Sequence, residues 1–152
     1  MKASALEPAV TDLYDLDFFE WTSQNAKLLR VGKFQEADII RIAEELEDMG
    51  KRERRELLSR LHVLLSHLLK WQIQPAQRSR SWRVTINVQR REIGDLVEEM
   101  PSLRAALAEN LPKLYSRSVA DAVDETGLVQ NSFPEVCPFR LDQILDTQFF
   151  PD

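Results

Sequence analysis

The chain has 152 residues, 43% of them hydrophobic and 30% charged, enough to bury one core and too few to make two domains the expectation. Its net charge of −5 excludes a generally basic nucleic-acid coat, its single cysteine excludes an internal disulfide, and no run approaches the ~18 apolar residues of a membrane span. The opening MKASALEPAVTDLYDLDFFEW lacks the apolar stretch of a signal peptide, so a soluble cytoplasmic protein with no membrane partner is expected.

Few glycines, few alternating β-branched runs and an abundance of Leu, Glu, Arg and Ala predict an all-α fold. Residues 1–12 carry Pro8 and no periodicity, and read as a loosely held lead-in to a single helical domain over 13–152. A first helix is expected to start at Asp15 or Asp17, whose carboxylate can accept from the open N–H groups of a first turn, and to stop at Gly32. A second is predicted over 33–49, with Ile39, Ile42, Ala43, Leu46 and Met49 on one face and Gly50 as the break after it. A third, over 51–73, carries Leu57, Leu61, Leu64 and Leu68 beside a second stripe of Leu58, Leu65 and Leu69. A face that wide needs more than one neighbour to cover it, so this helix should be central. Pro75 ends it by removing a donor and disfavouring helical geometry just before it.

A fourth helix is predicted from Ser79 or Ser81 to Met100, with Trp82, Ile86, Gln89, Ile93, Leu96 and Met100 recurring at 4-3-4-3-4 spacing. A fifth runs over 102–125, kinked or split at Pro112 and closed by Gly127. The tail holds three prolines and is too apolar for disorder, so it is expected to be an extended strap with one short helix near 141–146, packed back onto the rest. The result is a bundle of about five helices around a central antiparallel hairpin, with Trp71 and Trp82 locking its two arms together.

Charge is unevenly spread. Residues 51–91 hold 11 Lys/Arg against 2 acidic residues, a balance of +9, which leaves −14 for the remainder. In that block and its surroundings, EELEDMG (44–50), RRELLSRLHVLLSHLLKWQIQP (54–75) and RSRSWRVTI (78–86), together with the opening LYDLDFFEW (13–21) and the closing PFRLDQILD followed by aromatic-Pro, resemble the family called domain of unknown function 29. The resemblance covers about 13–151. It implies an all-helical bacterial protein of unassigned activity and supplies no catalytic residues. Pro112 departs from the family pattern, in a segment that its members run as a helix.

The polar residues that stand out form one candidate cluster. Arg78, Arg80 and Arg83 lie beside a helix start, where guanidinium forks and free N–H groups could hold a phosphate or carboxylate. The plainer expectation pairs them with the acidic stretch Glu44, Glu45, Glu47 and Asp48. His67 and Lys70 lie away from the leucine stripes. There His67 could titrate or bind a metal, and the plainer expectation is a hydrogen bond to a carboxylate under a covering element. His62 is expected at the edge of the core. Neither histidine follows a Glu by three residues, and His-Glu-x-x-His, Cys-x-x-Cys, phosphate-loop and Gly-x-Ser-x-Gly patterns do not occur, so no cofactor or catalytic set is expected. Cys137 has no activating base nearby in sequence and is expected to pack. Gln89 in the apolar seam should bond across the bundle.

These features point first to a non-catalytic protein-interaction module that binds another protein or a second copy of itself. Nucleic-acid binding through the Arg-rich hairpin is one alternative, and a metal or enzyme site built from His67 with the carboxylates of the second helix is another.

Overall fold

The structure is a computed structural model that describes residues 7–152, and every regular element among them is helical. There are six α-helices: α1 (Val10–Leu16), α2 (Phe18–Arg30), α3 (Ile39–Ile73), α4 (Arg80–Glu99), α5 (Arg104–Thr126) and α6 (Leu141–Leu145). Internal contacts divide the chain into two compact units, residues 1–50 and 51–152. Of the lead-in expected over 1–12, the first six residues lie outside the described ones, and helix begins at Val10.

In the first unit the single helix expected before Gly32 is two. Asp17 ends α1 and starts α2: its extended backbone breaks the helix, and its carboxylate accepts from the Glu20 N–H at 3.0 Å. Gly32, at φ +76°, turns the chain away after α2, in the left-handed conformation that glycine adopts without penalty. Little apolar surface is buried here beyond Leu13 and Trp21; a polar lock does much of the positioning. The Trp21 indole donates to Asp38 Oδ2 at 3.1 Å, and buried Asn25 donates to the Trp21 carbonyl and accepts from the Asp38 N–H, both at 2.8 Å. Tyr14 donates to Glu45 at 2.6 Å and meets Phe18 and Trp21 edge-on.

The predicted second helix is corrected twice. Residues 33–38 form turns, and Gly50 does not break anything: α3 runs through it as one rod of 35 residues. A glycine ends a helix when it takes positive φ, and Gly50 does not. Its cost inside a helix, about 1 kcal/mol relative to Ala, is small enough to absorb where acids and bases stand four apart, as Glu47 and Lys51 or Asp48 and Arg52 do. The face expected to be apolar and inward is also different, since Ile39, Leu46 and Met49 are exposed.

The second unit holds the main core. Leu57, Leu61, Leu64, Leu65, Leu68 and Leu69 of α3 are fully buried, with Ile86 and Ile93 of α4, Leu107, Leu114 and Val119 of α5, and Phe133, Phe139 and Ile144 of the tail. After Ile73 a 3-10 turn, Pro75–Gln77, leads to α4, whose N-cap Ser79 accepts from the Trp82 N–H at 3.2 Å. The pairings of Arg60 with Gln89 and of Lys70 with Trp82 set α4 antiparallel to α3. His62 with Asp121 and Lys70 with Glu125 set α5 parallel to α3. Pro112 neither splits nor ends α5, and Gly127, at φ +70°, closes that helix. The tail is the expected strap, with α6 as its α-helix, a 3-10 turn at Gln130–Ser132 before it, and Tyr115 donating to the Pro134 carbonyl at 2.5 Å.

Candidate functional site

The turn between α3 and α4 gathers the three suspected arginines, Arg78, Arg80 and Arg83, and the strap closes over it. A helix leaves its last carbonyls without partners. At the end of α3, Arg78 supplies one: its Nε donates to the Trp71 carbonyl at 2.8 Å, and an Nη donates to the Pro151 carbonyl of the strap at 3.2 Å. Its guanidinium also stands 5.2 Å from the Trp71 ring centroid. Arg83 lies 5.2 Å from Trp71 and 4.6 Å from Phe150, and those two rings are 5.0 Å apart. Arg80 is exposed on the first turn of α4. The pairing expected between these arginines and the acids of residues 44–48 is therefore corrected for Arg78 and Arg83, whose partners are carbonyl oxygens and aromatic faces.

Arg90 completes the clasp, and sequence reasoning did not single it out. Only 3% exposed, it donates from Nε to the Ile144 carbonyl at 2.7 Å, capping the open end of α6, and from Nη2 to the Gln143 carbonyl at 3.4 Å, which also accepts from the Asp146 N–H. Its Nη1 is buried without a hydrogen-bond partner. Burial lowers its pKa, and the charge of Asp146 works the other way. A signal was present: Ile86, Arg90 and Ile93, at 4-3 spacing, lie on one helix face as well as Ile86, Gln89 and Ile93 do at 3-4. Gln89 instead sits at the edge, accepting from Arg60 at 3.4 Å, with Glu92 3.6 Å from the same guanidinium.

His67 and Lys70 share a turn of α3. Lys70, with its side chain 11% exposed, pairs with Glu125 of α5 at 2.7 Å and lies over Trp82. His67 does not reach the carboxylate expected for it. Its Nδ1 donates to the Val63 carbonyl, one turn back, at 2.8 Å. Burial lowers its pKa, Lys70 adds to that, and the Val63 bond and Glu125 oppose it. His62, the expected edge residue, is half-buried with Nε2 2.7 Å from Asp121; the contact is close but not aligned as a hydrogen bond. Trp71 and Trp82, expected to pin the hairpin together, take different partners, Phe150 and Lys70.

Of the acids in the candidate cluster, Glu45 accepts from Tyr14, and Glu44 and Glu47 are exposed on α3 within the first unit. Cys137 is half-buried, its Sγ 3.4 Å from the Phe139 carbonyl, and burial pushes its thiol pKa up, away from the nucleophilic thiolate. Among the described residues no three His, Cys, Asp or Glu side chains group as metal ligands, and no helix is long and apolar enough to cross a membrane. The arrangement at the turn is chemically a clasp, in which cations hold a tail by its main chain.

Comparison with known proteins agrees with the motifs. The family model described as Domain of unknown function DUF29 matches residues 13–150, nearly the whole chain, and the chain belongs to that family. No curated protein and no solved structure matches it.

Proposed function

We propose that this member of the DUF29 family is a non-catalytic interaction module that binds a second copy of itself through its first unit. The observation that carries the reading is where apolar surface is left uncovered. Of twelve large hydrophobic side chains exposed among the described residues, nine lie at or before Met49, including Phe19 at 81%, Ile40 at 76% and Leu46 at 63%. On α3, Ile39, Ile42, Leu46 and Met49 follow the 3-4-3 spacing of a helix-pairing seam. Large apolar side chains left exposed in such number in one unit mark an association site more often than a solvated face.

Charge supports a second copy as the occupant. The seam is bordered by Arg41 and Lys51 and by Glu44, Glu47 and Asp48, so the patch carries both signs. A two-fold interface sets a surface against itself, which a patch of one sign resists and a mixed patch allows. Arg78 and Arg83 of the turn, by contrast, are held by carbonyls and rings of their own chain, which favours this reading over phosphate-backbone binding there. The test is light scattering after size exclusion over a concentration series. Wild type should approach twice its 17.6 kDa mass, and Leu46→Glu with Met49→Glu should stay at one chain with unchanged helix content. A wild type that remains a single chain throughout, or a variant that pairs as well as wild type, sinks the proposal.

A further inference from the structure

We infer that the cleft between α3 and α5 in the second unit is a binding site for a compact polyphosphate anion. The cleft has a volume of about 430 Å³; Arg54 and Arg55 of α3 and Lys113 and Arg117 of α5 line it, over Leu58 and Leu114. Helical spacing explains the convergence. Arg54 and Leu58 are four apart, as are Lys113 and Arg117, so each helix turns its basic residues toward the same side. Because α5 runs parallel to α3, the two rows stand abreast over the length of the cleft.

Two facts separate this cleft from an ordinary solvated surface. The chain has 25 acidic residues against 20 basic ones, yet no Asp or Glu lines the cleft. Among the described residues, none of the four cations makes an ion pair, hydrogen bond or ring contact; Lys27, Arg30, Arg80 and Arg104 make none either, but only these four converge on one recess. Asp121 contacts one lining residue, His62, and the Asn110 amide is already spent on the Ala106 carbonyl at 2.8 Å. Four like charges held around a recess repel one another and focus a positive potential into it, and an anion that enters relieves the repulsion.

The lining also selects among anions. Guanidinium forks suit phosphate oxygens, and several cations in two rows suit a ligand with several charges close together. No Phe, Tyr or Trp lines the cleft, and its one ring, the His62 imidazole, stands 2.7 Å from Asp121, so it lacks the broad platforms on which successive bases of single-stranded nucleic acid stack. Two leucines make too small a floor for a long hydrocarbon. What remains is a pyrophosphate or triphosphate group, either free or as the tail of a nucleotide. The inference is independent of self-association, since it concerns other residues in the other unit.

Calorimetric titration with tripolyphosphate at low and moderate salt tests it. The expected result is saturable one-to-one binding that weakens steeply with salt, as phosphate contacts do. Lys113→Ala with Arg117→Ala, and separately Arg54→Ala with Arg55→Ala, should each weaken it at least tenfold, while Arg140→Ala leaves it unchanged. All five positions are exposed, and helix content measured alongside distinguishes lost binding from lost folding. ATP binding as tightly as tripolyphosphate identifies a nucleotide's tail as the ligand; ATP binding more weakly identifies the free polyanion. No binding at low salt, equal binding by both double variants, or tighter binding of a single-stranded oligonucleotide at the same residues overturns the inference.

Discussion

His67 shows how one residue can look functional in sequence and take a different role in the fold. Its Nδ1 proton is held by the Val63 carbonyl, and burial and the neighbouring Lys70 both disfavour a second proton. The folded state therefore binds a proton less readily than the unfolded chain, whose histidines titrate near 6.5. Stability attributable to His67 is fully present above that pH and is lost as the pH falls below it, because the unfolded chain then gains protons that the folded one resists. Urea unfolding at pH 8 and pH 5 should show wild type losing more stability on acidification than His67→Gln. Equal losses would mean that the ring is as readily charged in the fold as outside it. The sequence placed His67 correctly on the side of α3 away from the leucines, but a carbonyl four residues back leaves no mark in composition or spacing. The same blindness hid Arg90, since an arginine within an apolar seam is read as a boundary residue unless its acceptors, 53 and 54 positions further on, are known.

Helices were largely legible, and the misreadings concern glycine and aspartate. The double leucine stripe, the Pro75 stop, the Ser79 cap, α6 and the Gly127 close are all written in local chemistry. Gly50 was read by the same rule as Gly127, yet the two differ in backbone: Gly127 has φ +70° and Gly50 does not have positive φ. A side chain at either would meet nothing within 4 Å, so conformation alone separates them. Gly50→Ala should therefore stabilise the protein, by about 0.5–1 kcal/mol, through better helix propensity. Gly127→Ala should destabilise it by a similar or larger amount, since L-residues resist that region. Thermal melts of the two variants should move in opposite directions; shifts of the same sign would show that α3 is not continuous through residue 50. Asp17 escaped as a helix divider because an N-cap signal says where a helix begins and is silent about another ending at the same residue.

At the scale of the molecule, what sequence could not show is pairing at a distance. Lys70 with Glu125, Arg78 with Pro151 and Arg90 with Ile144 join positions more than 50 residues apart, and Arg54 and Lys113 meet across one cleft for the same reason. The imbalance of +9 over residues 51–91 was visible, but not that Lys70, Arg78, Arg83 and Arg90 would be spent on rings and carbonyls while Arg54 and Arg55 face open space. The clasp of the strap is the clearest case. Replacing Arg90 with Met keeps much of the packing and removes the donors to the Ile144 and Gln143 carbonyls. The Gln143 carbonyl keeps the Asp146 N–H, so the one orphaned acceptor is the Ile144 carbonyl; its loss should outweigh the relief of a buried charge, costing on the order of 1–3 kcal/mol. Limited proteolysis should then cut within 133–152 sooner than in wild type, and an unchanged digestion pattern would mean that the strap is held by its apolar side chains alone.

That clasp grips oxygens of the peptide backbone. Peptide oxygens do not titrate in the range where Asp and Glu lose their charge, and no substitution at Gln143, Ile144 or Pro151 can delete them. Carboxylate links such as those of α5 to α3 weaken in acid as a class, whereas this fastening has no carboxylate in it, so the tail should stay tethered after ion pairs have dissolved.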